Sequence, residues 1–482
     1  MDKELFKPYR PDITAALPDH RAKSFARDAL ERFLKNSASV AAGVLIVLLL
    51  SFALLTPLFS PYTVAFRDGF YRTMPPSFHP TKQLSGPQAL LDYHAAIALE
   101  TGRSALRSRE KAGENYYYLR TDAYRQVGFQ YVDLSQQEFE HLQEYQNRTG
   151  RQVCYPLPKT HNTFYLALGG ANLWYELEDP SAHSNGRSAH HDPNGDPILI
   201  PNYLTAADDG SYRSLRHPND PGNWVYGVKN QTGYRVRVLY EEYFRYQNGF
   251  APRFLLGTNQ HGQDILTCLA AGARLSFLLS LSVSVLNLII GVLYGAAEGF
   301  FGGKTDLILE RVSDILKAIP FIVVATLFQL HLAQKAGPVL SLLFSFVLTG
   351  WIGIASRVRT QFYRFKNAEY VLCARTLGAG NRRLIFRHIL PNAAGTIITA
   401  AVLLIPGVIF SESMLSYLGI VNLEAENLTS IGTMLSAGRA YLGSQPHILA
   451  IPALFLALLE ISFNLFGNGL RDAFNTALRG QA

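Results

Sequence analysis

The stretch EYVLCARTLGAGNRRLIFRHILPN, Glu369 to Asn392, carries four arginines, one histidine and two turn-forming glycines between two apolar segments. Asn367 to Leu377 has the composition of a helix. Gly378-Ala379-Gly380-Asn381 stops it, because glycine and asparagine tolerate the left-handed backbone that a helix stop needs. Arg382 to Leu390 reads as a second short helix. Pro391 suits the first turn of the next one, where its missing N–H costs nothing. Val371, Ala374 and Leu377 share one side before this elbow, and Leu384, Ile385 and Ile389 share one after it. The spacing predicts a jointed knob with an apolar contact face and a basic surround. A solvated loop has no use for apolar residues at helical spacing.

The chain around it has 482 residues, 48% hydrophobic, with mean hydropathy +0.06. That is apolar for a soluble protein and polar for a bare bundle of spans. The charges are segregated. Residues 81–252 hold 17 of the 25 tyrosines, with 17 basic and 19 acidic residues, while the remainder holds 27 basic and 18 acidic. Basic residues that flank apolar spans act as orientation signals, so the sequence pI of about 9.1 does not imply nucleic acid. Three cysteines, Cys154, Cys268 and Cys373, offer neither a disulfide framework nor a C-x-x-C pair. Each reads as a small buried apolar residue.

A membrane span needs about 20 mostly apolar residues. Six candidates appear: Ala38–Phe59, Leu275–Ala297, Ile315–Leu332, Val339–Ala355, Thr396–Leu418 and Ile448–Phe466. The first begins too far in and runs too long for a cleaved leader. Six spans place both termini on one side. Residues 1–37 hold eight Lys/Arg, and Arg357 to His388 holds eight against one acid, Glu369. Positive charge favours the cytoplasmic face, so both segments are expected there, in a plasma (inner) membrane. The expected order is a cytoplasmic segment at 1–37, a first span at 38–60, an extracytoplasmic block at 81–252, and a core at 253–482. That core has five spans and a cytoplasmic loop at 357–391.

The wording Glu369-Tyr370-Val371, Ala374-Arg375, Leu377-Gly378-Ala379 and His388-Ile389-Leu390-Pro391-Asn392 resembles the signature loop of permease subunits of binding-protein-dependent ABC importers, in the oligopeptide/dipeptide/nickel branch. Further matches are Leu256-Gly257-Thr258-Asn259, Gly272-Ala273-Arg274, Gly302-Gly303, Asp306, Arg311 and Asp314. Later ones are Glu412, Leu415-Ser416-Tyr417-Leu418-Gly419, Gly432-Thr433-Met434-Leu435, and Asn464, Gly467, Gly469-Leu470-Arg471-Asp472. Their order is that of the C-type partner of the permease pair. The resemblance implies an all-α polytopic fold of about six transmembrane helices, the type I importer fold. It implies coupling to an ATPase through Glu369, Ala374, Arg375, Gly378, His388, Leu390 and Pro391. It also implies a second permease subunit, two ATPase subunits and an extracytoplasmic binding protein around a bilayer-embedded chain. Oligopeptides or dipeptides are the expected cargo, with nickel chelates or oligosaccharides as the lesser alternative.

Two stretches imitate other sites. GFFGGKT, Gly299 to Thr305, lacks the first glycine of a phosphate loop, since Glu298 stands there. This chain is therefore expected to be no enzyme and to hold no cofactor, with ATP and magnesium in the partner ATPases. HHDPNGD, His190 to Asp196, has Pro197 and Tyr203 where a calcium loop needs glycine and glutamate, so it reads as a polar turn and no metal is expected. Glu412, Glu460 and Asn464 interrupt apolar segments, where ionisable groups default to functional or paired roles. A place on the translocation path is expected for them, with a helix–helix hydrogen bond as the alternative for Glu460.

The block 81–252 separates two ends of what would otherwise be a short loop. Gln88 to Arg109 and Ser135 to Asn147 read as helical, the latter with a capping box Ser135-x-x-Glu138. FYLALGG, NLWYELE and YRVRVLYEEYF alternate as strands, and the last of them, Tyr234 to Tyr246, would lead toward the second span. An inserted α+β domain follows. It would dock the binding protein or roof the pore. No G-x-S-x-G or H-E-x-x-H supports a peptidase there. A membrane sensor that binds ligand through this block is the remaining alternative function.

Overall fold

The computed structural model describes residues 25–155, 227–229, 234–421, 423 and 428–474. FYLALGG, NLWYELE and HHDPNGD lie outside the described residues. The chain divides into two compact units, one of 1–56, 269–436 and 452–482, the other of 57–268 and 437–451. Among the described residues, five helices are long and apolar enough to cross a membrane: Ser37–Phe59, Ile265–Phe301, Pro338–Phe365, Asn381–Tyr417 and His447–Phe474. A bent helix pair would make a sixth if it crosses as one span. The segment expected as one helix from Ile315 to Leu332 is instead Gly303–Lys317 and Phe321–His331, bent by 72°. Pro320 supplies the reason, since it caps the second helix and cannot continue the first.

The first unit is held by close backbone contact. Gly291, Gly295 and Gly299 recur every fourth residue on Ile265–Phe301 and so share one face. A Cβ at Gly291 would lie 2.8 Å from the Trp351 carbonyl oxygen, and one at Gly299 would lie 2.6 Å from Phe362 Cβ. At Gly295 the Ala355 carbonyl occupies the space a Cβ would need. Helix Ile352–Phe365 therefore lies against bare backbone. Small residues spaced by four are how helices approach where no hydrophobic drive acts between them. Buried Ile354, Val358 and Phe362 line the same side, packed with Ala296. The tilted rings of Tyr294 and Trp351 meet at 4.5 Å.

The second unit carries two antiparallel sheets. Strands β1 (Thr81–Pro87), β2 (Leu106–Lys111) and β3 (Tyr116–Asp122) pair in the order β1-β3-β2. Strands β4 (Phe129–Leu134), β5 (Cys154–Tyr155) and β6 (Gly227–Lys229) each pair with β7 (Tyr234–Leu239). Helix Gln88–Thr101 ends at Gly102, so the expected helix to Arg109 stops early and gives way to β2. β7 also ends early, at Leu239, and Tyr240–Asn248 is a helix rather than the end of a strand. The capping box forms as expected. Ser135 Oγ accepts from Glu138 N, and Glu138 Oε2 accepts from Ser135 N at 2.8 Å. Tyr71, Phe139, Leu142, Val236, Val238, Phe244 and Phe254 are fully buried together. The tyrosines Tyr62, Tyr71, Tyr124, Tyr240 and Tyr243 are thus core residues.

Gly295→Leu is expected to cost about 1–3 kcal/mol or more through overpacking, and to lower the yield of monodisperse protein. Gly353 is exposed with no atom within 4 Å of a Cβ, so Gly353→Ala should stabilise by about 0.5–1 kcal/mol. Melting of the detergent-purified variants checks this. Equal effects at both positions would remove the glycine seam as the organising contact.

Candidate functional site: a hinged basic segment on a clamped helix pair

Helix Glu369–Thr376 starts at an acidic residue, which suits the positive end of the helix dipole. It stops at Gly378, whose φ of +86° is the left-handed conformation. Ala379 N donates to Ala374 O at 3.0 Å, and Gly378 N donates to Arg375 O at 3.0 Å. These two bonds form a Schellman stop. The expected second short helix is no separate element. Asn381–Arg383 passes through a wide turn at Leu384–Ile389 into Leu390–Val402, within one 37-residue helical span. Pro391 is the cause. Its ring excludes a normal turn behind it, and the widened turn accommodates it. Asn392 Nδ2 donates to His388 O at 2.7 Å there. Asn392 also bonds the Tyr370 phenol, which burial pushes above its ordinary pKa.

The apolar residues do not form an outward contact face. Val371, Leu384 and Ile389 are fully buried against Ile354, Val358, Phe362, Ala393 and Ile397 of the chain's own core. Ala374, Ile385 and Leu390 pack partly onto the same cluster. Leu377, expected on that side, is 88% exposed, because it immediately precedes the left-handed residue at which the helix stops. Cys154 and Cys268 are buried as expected, but Cys373 is exposed. It lies two residues from inward-facing Val371, hence on the opposite side of the helix. The exposed crown is Leu377 with Arg375, Arg382, Arg383 and Arg387 around it, and Glu369 and Pro391 are exposed at its ends. His388 is half-buried.

A clamp on the preceding helix went unrecognised in the sequence. Arg359 Nε donates to Asp306 Oδ1 at 2.6 Å and its Nη2 to Asp306 Oδ2 at 2.8 Å. The same guanidinium donates to Glu310 at 2.8 and 3.0 Å. Tyr363 Oη donates to Asp306 Oδ2 at 2.6 Å, and Lys366 Nζ donates to Gly299 O at 3.2 Å. Arg359 suits this because its planar fork satisfies two carboxylates at once. Asp306 and Glu310 stand four apart on one helix face, which was the available signal. The clamp ties Gly303–Lys317 to Ile352–Phe365, the helix that leads into the hinged segment.

The remaining polar candidates are separate. Glu412 is 1% exposed. It accepts from Ser276 Oγ at 3.2 Å and from Ser416 Oγ at 3.0 Å, and Ser430 also bonds it. Its carboxyl joins three chain segments. Glu460 has one buried oxygen without a partner. Asn464 is exposed and donates to the Glu460 backbone oxygen at 2.8 Å. No hydrogen bond among the described residues joins Glu412 to either. No group of three or more His, Cys, Asp or Glu is placed to hold a metal among the described residues.

Residues 287–480 match the family of binding-protein-dependent transport system inner membrane components, and residues 24–76 match the N-terminal TM domain of oligopeptide transport permease C. The oligopeptide transport system permease protein OppC of Bacillus subtilis (strain 168) is 42% identical over 223 residues, covering 46% of this chain and 72% of that protein. The dipeptide transport system permease protein DppC of the same organism is 36% identical over 224 residues, covering 46% and 68%. A solved inward-facing MetNI methionine ABC transporter aligns at 16% identity with TM-score 0.36, covering 43% of this chain and 96% of that one.

Arg359→Ala strands Asp306 and Glu310 without their shared cation. A loss of about 1–3 kcal/mol is expected from the half-exposed network, read as a lower melting temperature of the purified chain. Arg359→Lys should recover only part of it, because an ammonium cannot engage both carboxylates in forked geometry. Full rescue by lysine would show that charge alone matters.

Proposed function

The chain belongs to the oligopeptide/dipeptide ABC transport permeases as a C-type, multi-pass membrane subunit, and from that premise we propose that Glu369–Pro391 is its coupling element to an ATPase. The observation that carries this is the exposed crown at Leu377, mounted on residues that are themselves core. Val371, Leu384 and Ile389 are sealed into the helix cluster. A push on the crown therefore moves that cluster as one body. Glu369, Ala374 and Arg375 lie on the first arm, Gly378 sets the elbow, and His388, Leu390 and Pro391 lie on the second arm.

In this reading the chain pairs with a second permease subunit. Two ATPase subunits bind and hydrolyse ATP with magnesium, and an extracytoplasmic binding protein delivers a peptide. Closure of the ATPases presses on the crown and switches the paired permeases from inward- to outward-facing. Both termini and the crown lie in the cytoplasm, and residues 81–252 form an extracytoplasmic α+β insertion between the first two spans. Glu460 and Asn464 lie near the translocation path. The unpartnered Glu460 oxygen supports a polar neighbour there, since an unpaired carboxyl is costly in lipid. Glu412 lies near that path too, and its enclosure by serines supports a role in holding helices together within the wall. Oligopeptides or dipeptides are the cargo that the relatives' names support.

The elbow gives the test. Gly378 has open space around it, so the strain of a substitution is conformational rather than steric. Gly378→Asn should keep most uptake, because asparagine visits the left-handed region. Gly378→Ala should cost about 1 kcal/mol locally. Gly378→Pro cannot adopt the positive φ and loses the N–H bonded to Arg375 O. In proteoliposomes of the assembled transporter, Gly378→Pro should leave ATP hydrolysis running while peptide uptake falls to background. Normal uptake by that variant would refute the coupling role.

A further inference from the structure

The second unit contains a cavity of about 820 Å³ lined by His141, Tyr145, Arg148, Arg151, Arg245 and Tyr246, with Glu144 and Gly249 at its wall. Small-molecule sites typically enclose about 300–1,000 Å³. Two helices build it. Gln136–Thr149 contributes His141, Glu144, Tyr145 and Arg148, and Tyr240–Asn248 contributes Arg245 and Tyr246. Both belong to the one core held by Phe139, Leu142 and Phe244.

Three arginines, Arg148, Arg151 and Arg245, cluster at this wall. Glu242, whose side chain is 4% exposed, receives Arg103 at 2.7 Å and both Arg151 and Arg245 at 3.4 Å. One buried carboxylate thus faces three arginines, and the two longer contacts leave donors on Arg151 and Arg245 uncommitted. Arg148 has no carboxylate partner among the described residues, and Glu144 adds one negative charge at the wall. The bland role for Arg148 and Arg245 is to offset the negative ends of their helices, each worth about half a charge. Those ends are already served, because Gly150 N donates to Gln146 O at 2.9 Å and Gly249 N to Arg245 O at 2.8 Å. Arg103 also faces Glu241, so Glu144, Glu241, Glu242 and the two helix ends balance the four arginines; what distinguishes Arg148 is that no carboxylate pairs with it among the described residues. Beside it, the Tyr145 and Tyr246 rings meet edge-to-face at 5.1 Å and offer an apolar and aromatic wall.

We propose that this cavity binds the carboxylate end of a peptide, with Arg148 as its anchor and the Tyr145–Tyr246 wall against the terminal side chain. Forked guanidinium donors fit a planar carboxylate, and Arg148 has no carboxylate of this chain to engage among the described residues. The donor set calls for a carboxylate by itself, and the choice of a peptide rests on the transport reading above. A peptide site on this unit would be separate from the helical unit that carries the hinged segment.

The test uses the full chain in lipid nanodiscs without its partners. The probes are N-acetyl-Ala-Ala-Phe and the same peptide as its C-terminal amide, followed by calorimetry. Saturable binding of the acid is expected. The amide, and Arg148→Gln with the acid, should each bind at least about tenfold more weakly, the scale of one charge-assisted hydrogen bond. Arg148 is exposed and has no ion-pair partner among the described residues, so the variant should keep its melting temperature. No saturable binding, equal binding of acid and amide, or unchanged binding by Arg148→Gln would each overturn the site. Uptake by the assembled transporter separates the two readings. Peptide uptake with no nanodisc binding rejects the cavity and leaves the permease standing, whereas a transporter that moves no peptide removes the ligand class as well.

Discussion

The contact on which the first unit depends is the absence of three side chains. At Gly291, Gly295 and Gly299 the helix Ile265–Phe301 offers only backbone, and the backbone of Trp351–Phe362 moves into that space. In lipid, apolar side chains gain nothing by leaving one apolar surface for another. Association must come from close van der Waals contact and satisfied polar groups. The seam supplies the first of these. It also fixes the register of Ile352–Phe365, and that register places Arg359 opposite Asp306 and Glu310. A shift of one residue along this helix would turn the guanidinium by about 100° away from both carboxylates.

Two polar sets of this unit are enclosed with partners of fixed geometry. Arg359 closes one such set with Asp306, Glu310 and Tyr363. Glu412 closes another with hydroxyls from separate segments. These sets contribute little net energy relative to apolar packing of equal volume, because desolvation offsets the attraction. Their effect is on uniqueness. An apolar seam can slide, whereas a forked ion pair is satisfied in one register only. The hinged segment inherits that definition, since it follows the clamped helix after only three residues, Lys366 to Ala368.

The spans and the elbow were legible because their signals are local. Apolar length predicts a crossing helix, and Gly378 after a helical stretch predicts a left-handed stop. The failures have a common cause. The break at Pro320 lay inside an apolar run, where composition hides a kink. The direction of Leu377 depended on where the last helical turn ended, which sequence places only to within a residue or two. Arg359 was visible only as charge, because its partners stand 49 and 53 residues earlier in the chain. The glycine seam had the right spacing in plain view. Inside a long apolar helix, glycines look like tolerated weaknesses until the partner backbone is seen. In the second unit several tyrosines fill the core, where Tyr62 and Tyr124 donate their hydroxyls to the backbone carbonyls of Arg253 and Pro75.

The reassignment of the knob's apolar face changes what kind of joint it is. A knob whose apolar residues faced outward would be held by its partner and loose without it. Here Val371, Leu384 and Ile389 are spent inward, and the outward side carries Leu377 with the less exposed Leu372 and Phe386 among the arginines. In the proposed coupling role such a crown would bind through a limited apolar contact and screened charge around it. The rim adds to encounter rate and salt sensitivity more than to affinity. Stiffness, by contrast, lies on the chain's own side of the joint, in Val371, Leu384 and Ile389. A stiff arm with a modest grip transmits displacement while releasing its partner readily. In the proposed coupling role, a part pushed and let go in every cycle would need that combination, and burying the same apolar area in the partner would oppose release.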